Sequence, residues 1–319
     1  MQSIPVFCIA LQSHDPYFNL AVEEYLLRNK KEEYLIMGMN SRSVIIGKHQ
    51  SAHREVNTKY ITEHNIPVVR RITGGGTVFH DMGNLNFTFI RQCEPGRQVD
   101  FRRYTQPVIE FLLSQGVEAK FEKKNDLKVN GLKISGNAEH VYRNRVIHHG
   151  TLLFSASLEV LKNSLRKDTS SYNTRAVESN PSSVSNLNEF LPGIKDIFEF
   201  RKVMMNYFLN TIPGAESYEI SEGEMKEIAL LADSKYRSWE WNWAYGPDYQ
   251  FIKRFDYQGN SVSCRIIVKD GIIRECLLEG HSGLEGIAEK LIGCPHMVDD
   301  VKVVFSEENI KDLDIFSFF

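Results

Sequence analysis

Three short segments bring together residue types that can do chemistry. The first reads Arg70-Arg71-Ile72-Thr73-Gly74-Gly75-Gly76-Thr77-Val78-Phe79-His80-Asp81. Consecutive glycines permit positive φ and let a ligand approach backbone N–H groups, while two arginines upstream supply charge for a phosphate or carboxylate. Read sharply, this is an anion-binding turn; read plainly, it is a flexible hairpin loop beside two solvated arginines, and glycine content alone leaves both open. The second segment runs from Asn125 to Ala138 and places Lys133 between Leu132 and Ile134. A lysine in a strand-like run needs an exit to solvent or an anionic partner, and beside a reacting phosphate or acyl oxygen it would stabilise developing negative charge. Asp126 in the same segment suits a magnesium ion, a ligand hydroxyl or a simple turn cap. The third segment is His148-His149-Gly150-Thr151-Leu152-Leu153. Adjacent strand residues face opposite ways, so the two histidines do not readily share a metal; the pattern predicts one buried histidine and one facing a cleft.

These segments need a scaffold, and its pattern is legible. Asp15-Pro16 is a helix start, followed by Phe18, Ala21, Val22, Tyr25 and Leu26 at helical spacing. The apolar run Ile4 to Leu11 predicts a first strand, and Tyr34 to Met39, Ser43 to Gly47, Val68 to Ile72 and Leu85 to Ile90 predict others. Gln106 to Leu113 predicts a helix, and Asn130-Gly131 is the strongest hairpin signal in the chain. Thr169 to Asn188 is rich in Ser, Asn and Thr and carries Pro181, which predicts a loop or lid, followed by a helix over Phe198 to Leu209. Trp239, Trp241 and Trp243 read as packing anchors ahead of Gly246-Pro247. Beyond them, strands at Phe251 to Tyr257, Ser261 to Lys269 and Ile272 to Glu279 and a helix at Leu284 to Ile292 form a second small plan. Hairpin-connected strands mixed with helices predict an α+β fold on largely antiparallel sheet and disfavour a Rossmann arrangement.

Composition narrows the function classes. The 319 residues carry 38 Lys+Arg against 41 Asp+Glu, a net charge of -3 that provides no basic field for nucleic acid. Cys8, Cys93, Cys264, Cys276 and Cys294 are odd in number and never form a C-x-x-C pair, which argues against disulfides and a zinc ribbon. No apolar stretch approaches the roughly 20 residues that span a bilayer, and no leader pattern is apparent. The expectation is a soluble, cytoplasmic protein with no nucleic-acid or membrane partner and no metal-ligating residues. No G-x-x-x-x-G-K-[ST] and no G-x-S-x-G occurs, so a P-loop and a serine nucleophile elbow are unsupported.

Together with Phe18-Asn19-Leu20-Ala21-Val22-Glu23-Glu24, Ile46-Gly47, Gly83-Asn84 and Asn186-Leu187, the three segments resemble, in order and spacing, the lipoate-protein ligase A family of the biotin and lipoate ligase superfamily. The part around Trp241-Asn242-Trp243 and beyond resembles that family's small accessory domain. The resemblance implies a large mixed, mainly antiparallel sheet catalytic domain at residues 1–240 and a small α+β accessory domain at residues 241–319. It implies activation of lipoate by ATP to lipoyl-AMP, then transfer to a lysine of lipoyl carrier domains, those of 2-oxoacid dehydrogenase complexes and the glycine cleavage H protein. ATP and Mg2+ would take part, with lipoate as substrate. By the same resemblance, Arg71, Gly74, Gly75, Gly76, Thr77, Val78, Phe79 and Asp126 bind ATP and the adenylate. Arg70, Ser135, Gly136, Ala138 and His149 line the lipoate site, and Lys133 serves both as the catalytic residue. The family often carries an arginine beside Val184, where this chain has serine. A lipoyltransferase using preformed lipoyl-AMP would share nearly all these motifs, and a noncatalytic lipoate-binding module is the reading from another class. An octanoyltransferase would need a cysteine in a matching segment, and a biotin ligase more arginine in its glycine loop.

Overall fold

The structure is a computed structural model that describes residues 5–93, 99–122, 125–179 and 182–319. The first part of the chain supplies β1 (Val6–Ala10), α1 (Pro16–Asn29), β2 (Glu33–Gly38), β3 (Ser43–Ile46), α2 (Ala52–Glu55), α3 (Thr58–Glu63), β4 (Val68–Arg70), β5 (Val78–His80) and β6 (Asn84–Gln92). It continues with α4 (Phe101–Ser114), β7 (Lys120–Glu122), β8 (Asp126–Val129), β9 (Leu132–Tyr142), β10 (Arg145–Leu153), α5 (Leu158–Ser164), β11 (Tyr172–Thr174) and α6 (Ile197–Thr211). Then come β12 (Ala215–Ser217), α7 (Glu222–Leu231), β13 (Tyr249–Tyr257), β14 (Asn260–Lys269), β15 (Ile272–Glu279), α8 (Glu285–Leu291) and α9 (Val298–Glu307).

Eight strands form the main sheet in the order β12-β1-β2-β6-β10-β9-β8-β7. The β12–β1 and β1–β2 pairs are parallel and the rest antiparallel. The fold is therefore α+β on a mixed, mainly antiparallel sheet, as the hairpin signals predict. At Asn130-Gly131 the φ angles are 51° and 80°, the left-handed pair that a two-residue hairpin demands. One face of the sheet packs on α4 and α6 through Phe87, Phe89, Phe111, Phe200 and Phe208. Against the other face lies α1, started by Asp15, whose carboxylate accepts from Tyr17 N at 3.0 Å, with Pro16 following. Helix α4 begins ahead of the predicted Gln106 because Asp100 caps Arg103 N. Ile4 and Pro181 lie outside the described residues.

The remaining sheets decide where chemistry can happen. The three-stranded sheet β4-β3-β5 faces the main sheet, and β11-β13-β14-β15 belongs to the C-terminal unit. Strand β11 comes from the stretch predicted as loop and pairs antiparallel with β13, Tyr172 opposite Phe251. The C-terminal unit is thus closed by an edge strand borrowed from earlier in the chain. Its junction with the large unit is aromatic: His53 lies 4.6 Å from the Trp243 ring, and His296 stacks on Phe319 at 4.6 Å. The tryptophans lie on or beside π-helical turns, including Glu240–Ala244, and act as the expected packing anchors.

Candidate active site

The main sheet and the three-stranded sheet enclose a cavity of about 530 Å³. Strand alternation builds its walls. Ile36, Thr88, His149 and Ala138 are register partners on β2, β6, β10 and β9, and all four line it. Opposite them, Ile45 and Val78 pair across β3 and β5. Leu11, Leu20, Ile36 and Ile45 make one end apolar, while Arg71, Asp126, Lys133 and the Gly75-Gly76-Thr77 loop make the rest polar.

At the polar end Lys133 Nζ lies 2.7 Å from the Asp126 carboxylate, the anionic partner that a strand lysine requires. A Cβ at Gly136 would stand 3.1 Å from that Nζ, so the glycine three residues on gives the lysine its path along the strand. The backbone of Lys133 is clamped as well: its N–H donates to Ser183 O at 2.9 Å and its carbonyl accepts from Ser185 N at 3.1 Å. The serines beside Val184 thus hold the lysine through main-chain bonds, which need no particular side chain.

The glycine loop is shaped by its neighbours. Gly75 has φ +86°, and a Cβ at Gly47 would lie 2.2 Å from Gly75 O, so both glycines are sterically required. Arg71 donates from Nη2 to Gly74 O at 2.6 Å and Gly76 O at 2.7 Å, and from Nη1 to Ile45 O at 3.2 Å. Burial lowers its guanidinium to about 10, with Glu23 opposing the shift. A chain of polar contacts fixes the arginine from behind. Thr88 Oγ1 donates to Glu23 at 2.5 Å, Glu23 meets His149 Nδ1 at 2.8 Å, His149 Nε2 meets Thr73 Oγ1 at 2.7 Å, and Thr73 Oγ1 accepts from Arg71 Nε at 2.8 Å. Carboxylate at one nitrogen and hydroxyl at the other fit the tautomer with its hydrogen on Nδ1. The segment Val177-Glu178-Ser179 sits over this loop, Ser179 Oγ accepting from Thr77 N at 2.8 Å and donating to Glu55. Arg54, beside Glu55 on α2, holds Glu178.

A family model described as the lipoyl protein ligase A/B catalytic domain matches residues 15–209, the span that holds all of these groups except Leu11. The chain belongs to the lipoate-protein ligase family. It is 35% identical over 314 residues to lipoate–protein ligase 1 of Staphylococcus aureus, covering 96% of this chain and 93% of that protein. To the lipoate-protein ligase LplJ of Bacillus subtilis it is 35% identical over 271 residues, 84% of this chain and 82% of that protein. Among solved structures, the bipartite ligase of an archaeal lipoylation system from Thermoplasma acidophilum, described with its E2 lipoyl domain, matches at TM-score 0.64 and 28% identity, over 75% of this chain and 96% of that one. A T. acidophilum ligase with bound lipoic acid matches at 0.62 and 26% identity over 75% and 98% of the two chains. A lipoate-protein ligase A bound with ATP matches at 0.63 and 27% identity, again over 75% and 98%.

Within this lipoate-protein ligase fold, Arg71, Gly75, Gly76, Thr77, Val78, Asp126, Lys133, Gly136, Ala138 and His149, all named by the family resemblance, line the cavity. Four other residues expected at the site lie off the lining. Val44 pairs with Val68 and Phe79, and Ile46 with Arg70, which puts Phe79 and Arg70 on the face of the small sheet turned away from the cavity. There Phe79 joins an apolar cluster with Val44, Ile46 and Val68. Arg70, expected to line the lipoate site, instead donates to Gly47 O, Lys48 O, Gln50 O, Trp241 O and Asn242 O at 2.6–3.1 Å. Ser135 shares the His148 face of the main sheet and accepts from Asn137 Nδ2 at 3.2 Å. Gly74 offers its carbonyl to Arg71 and stands outside the lining.

The histidine pair divides as predicted. His148 is fully buried between Glu139 and Asn137, and burial lowers its imidazole below the ordinary value. Glu23, Thr73, Thr88 and Ser179 were not predicted. Glu23 is a charged residue inside the apolar periodicity of α1, and Thr73 and Ser179 fall within the glycine segment and the predicted lid, but none of the four was given a role. Among the described residues, no group of three or more His, Cys, Asp or Glu is placed to hold a metal, no helix is long and apolar enough to cross a membrane, and no cysteine lines the cavity.

Proposed function

We propose that the cavity holds lipoate beside ATP and that the chain is an ATP-dependent lipoate-protein ligase. The lipoate carboxylate attacks the α-phosphorus, the bond to the bridging oxygen breaks, and pyrophosphate leaves. The ε-amine of an acceptor lysine then attacks the lipoyl carbonyl, loses a proton and expels AMP. What supports this reading is one cavity with Lys133 and the glycine loop at a polar end and Leu11, Leu20, Ile36 and Ile45 at an apolar end. A carboxylate with an aliphatic tail matches that polarity, and the family supplies the reaction.

In this scheme Lys133 contacts the phosphate and the acyl oxygen and stabilises charge as it develops in both steps. Arg71, Gly74, Gly75, Gly76, Thr77 and Val78 form the nucleotide side, with Arg71 shaping the loop through its carbonyls. Phe79 supports that loop from its far face. Gly136, Ala138 and His149 border the lipoyl chain, Ser135 backs them, and Arg70 braces the loop's base. Asp126 suits a magnesium ion carried on the triphosphate, since it is a buried carboxylate at the polar end. Such an ion would neutralise phosphate charge. The acceptors we assign are lipoyl carrier domains, those of 2-oxoacid dehydrogenase complexes and glycine cleavage H protein, whose lysine must reach Lys133; a cytoplasmic location fits the free cysteines.

The test is ATP–pyrophosphate exchange with purified protein, with and without lipoate and with biotin as control. Lipoate-dependent exchange is the expected result. Transfer from supplied lipoyl-AMP without exchange would reduce the enzyme to a transferase, and failure of both in folded protein would overturn the reading.

A further inference from the structure

The cavity runs across the strands. Lys133 and Asp126 stand on β9 and β8, and Gly38 ends β2, three strand spacings from β9 in the sheet order. At the usual spacing that is roughly 14 Å. An acyl chain whose carboxylate sits at Lys133 therefore lays its tail against Leu11, Leu20 and Ile36. That wall should be purely apolar if the tail were a plain hydrocarbon.

Two polar side chains stand in it with an atom unused. Asn19 and His80 each keep 6% exposure and line the cavity. Asn19 Nδ2 donates to Ser13 O at 2.9 Å and to Asn40 Oδ1 at 2.7 Å. Asn40 Nδ2 in turn donates to His80 Nδ1 at 2.9 Å, which assigns the ring hydrogen to Nε2. Among the described residues, neither His80 Nε2 nor Asn19 Oδ1 has a hydrogen-bond partner. Burial with Arg71 and His149 nearby pushes the imidazole down to about 3, so the ring stays neutral with one N–H to give.

We propose that His80, held by Asn40 and Asn19, is a specificity-determining residue whose Nε2–H reads a heteroatom at the far end of the acyl tail. This deepens the lipoate reading and rests on it. A dithiolane sulfur offers this already buried N–H a weak acceptor, whereas the methylenes and methyl of a plain fatty acyl chain leave it unpaired. A site that offers a hydrogen bond penalises the analogue that lacks the partner.

The experiment measures kcat/KM for pyrophosphate exchange, and dissociation constants by calorimetry, for lipoate, octanoate and 8-mercaptooctanoate. It uses wild type, His80→Leu and His80→Gln. Wild type should prefer lipoate over octanoate by about tenfold, with the mercapto chain close to lipoate. The Leu variant should bring that ratio to within about twofold of unity, and Gln, which keeps a donor, should restore most of it. A ratio unchanged in the Leu variant, or a mercapto chain as poor as octanoate, would overturn the assignment in favour of ring shape or an ordered water. If the Leu variant does not fold, the wild-type series with the mercapto chain still decides. A wild type with no exchange but a retained difference in dissociation constants would sink the ligase reading alone.

Discussion

The small sheet β4-β3-β5 separates two regions made of the same residue types, and sequence neighbours fall on opposite sides of it. Arg71 and Arg70 are both nearly buried, and burial lowers both guanidiniums to about 10. On the junction side, Arg70 spends its donors on carbonyls of Gly47 to Gln50 and of Trp241 and Asn242, framework that Trp241 Nε1 locks by donating to Arg70 O at 2.7 Å. On the cavity side, Arg71 holds the carbonyls of Gly74 and Gly76, backbone free to change conformation. Burial and charge therefore do not distinguish a site from a brace. What distinguishes them is whether the partner is packed framework or a glycine loop beside open volume.

The largest effect should come from the cavity side. Lys133→Ala removes the group that meets developing charge and should lower lipoate-dependent exchange by about 10²–10³-fold or more, with an unfolding midpoint close to wild type. A variant at wild-type rate would remove Lys133 from the mechanism. The arginines should then separate. Arg71→Ala should cost about 10²-fold in kcat/KM for ATP, whereas Arg70→Ala strips several buried carbonyls of their donor and should lose about 3 kcal/mol of stability. Urea unfolding alongside exchange reads both, and equal losses in both assays for both variants would erase the contrast.

Period-two alternation was the part of this contrast open to sequence reasoning, yet Arg70 was assigned to the cavity. That assignment came from the family resemblance and not from parity, which fixes Arg70 at the end of β4 but not Arg71 beyond it. Lys133 and Asp126 were legible because a charged side chain in a strand demands a partner, and the glycine loop because consecutive glycines permit positive φ; their roles came from the family resemblance. The Glu23–His149–Thr73 chain was not, because it joins α1, β10 and the glycine loop across long sequence separations and no local spacing encodes it. Strand β11 was hidden for a similar cause: three residues carry too little periodicity, and pairing with β13 makes them a strand.

Both regions hold histidines kept neutral by burial, and their pH response tests how alike they are. His80 on the cavity side is pushed down to about 3 and His296 at the junction to about 4. Unfolded histidine takes up a proton below about 6.5, so between that value and about pH 4 the unfolded chain binds more protons. Stability is full above the unfolded value and falls as pH drops, each such histidine adding a slope of up to about 1.4 kcal/mol per pH unit. His296→Gln should remove one such contribution, flattening urea-derived stability between pH 6 and 4.5 by that amount. An unchanged slope would mean that the junction opens and protonates His296 at its ordinary value.

The smallest and most selective change adds one methyl group on each side. A Cβ at Gly47 would lie 2.2 Å from Gly75 O, on the glycine loop. At Gly271, where φ is +71°, it would lie 2.8 Å from Trp239 Cζ2 and 2.9 Å from Ala244 Cα, on the junction. Gly271→Ala carries both a left-handed backbone penalty and a clash with main chain that cannot rotate away, together about 1–3 kcal/mol. Its cost should appear as faster hydrogen exchange in β14 and β15, with adenylation unchanged. Gly47→Ala should do the reverse, displacing the glycine loop and lowering kcat/KM by roughly tenfold while the C-terminal unit keeps its protection. If Gly271→Ala slows adenylation as much as Gly47→Ala does, the junction takes part in the first chemical step, and the small sheet does not divide brace from site.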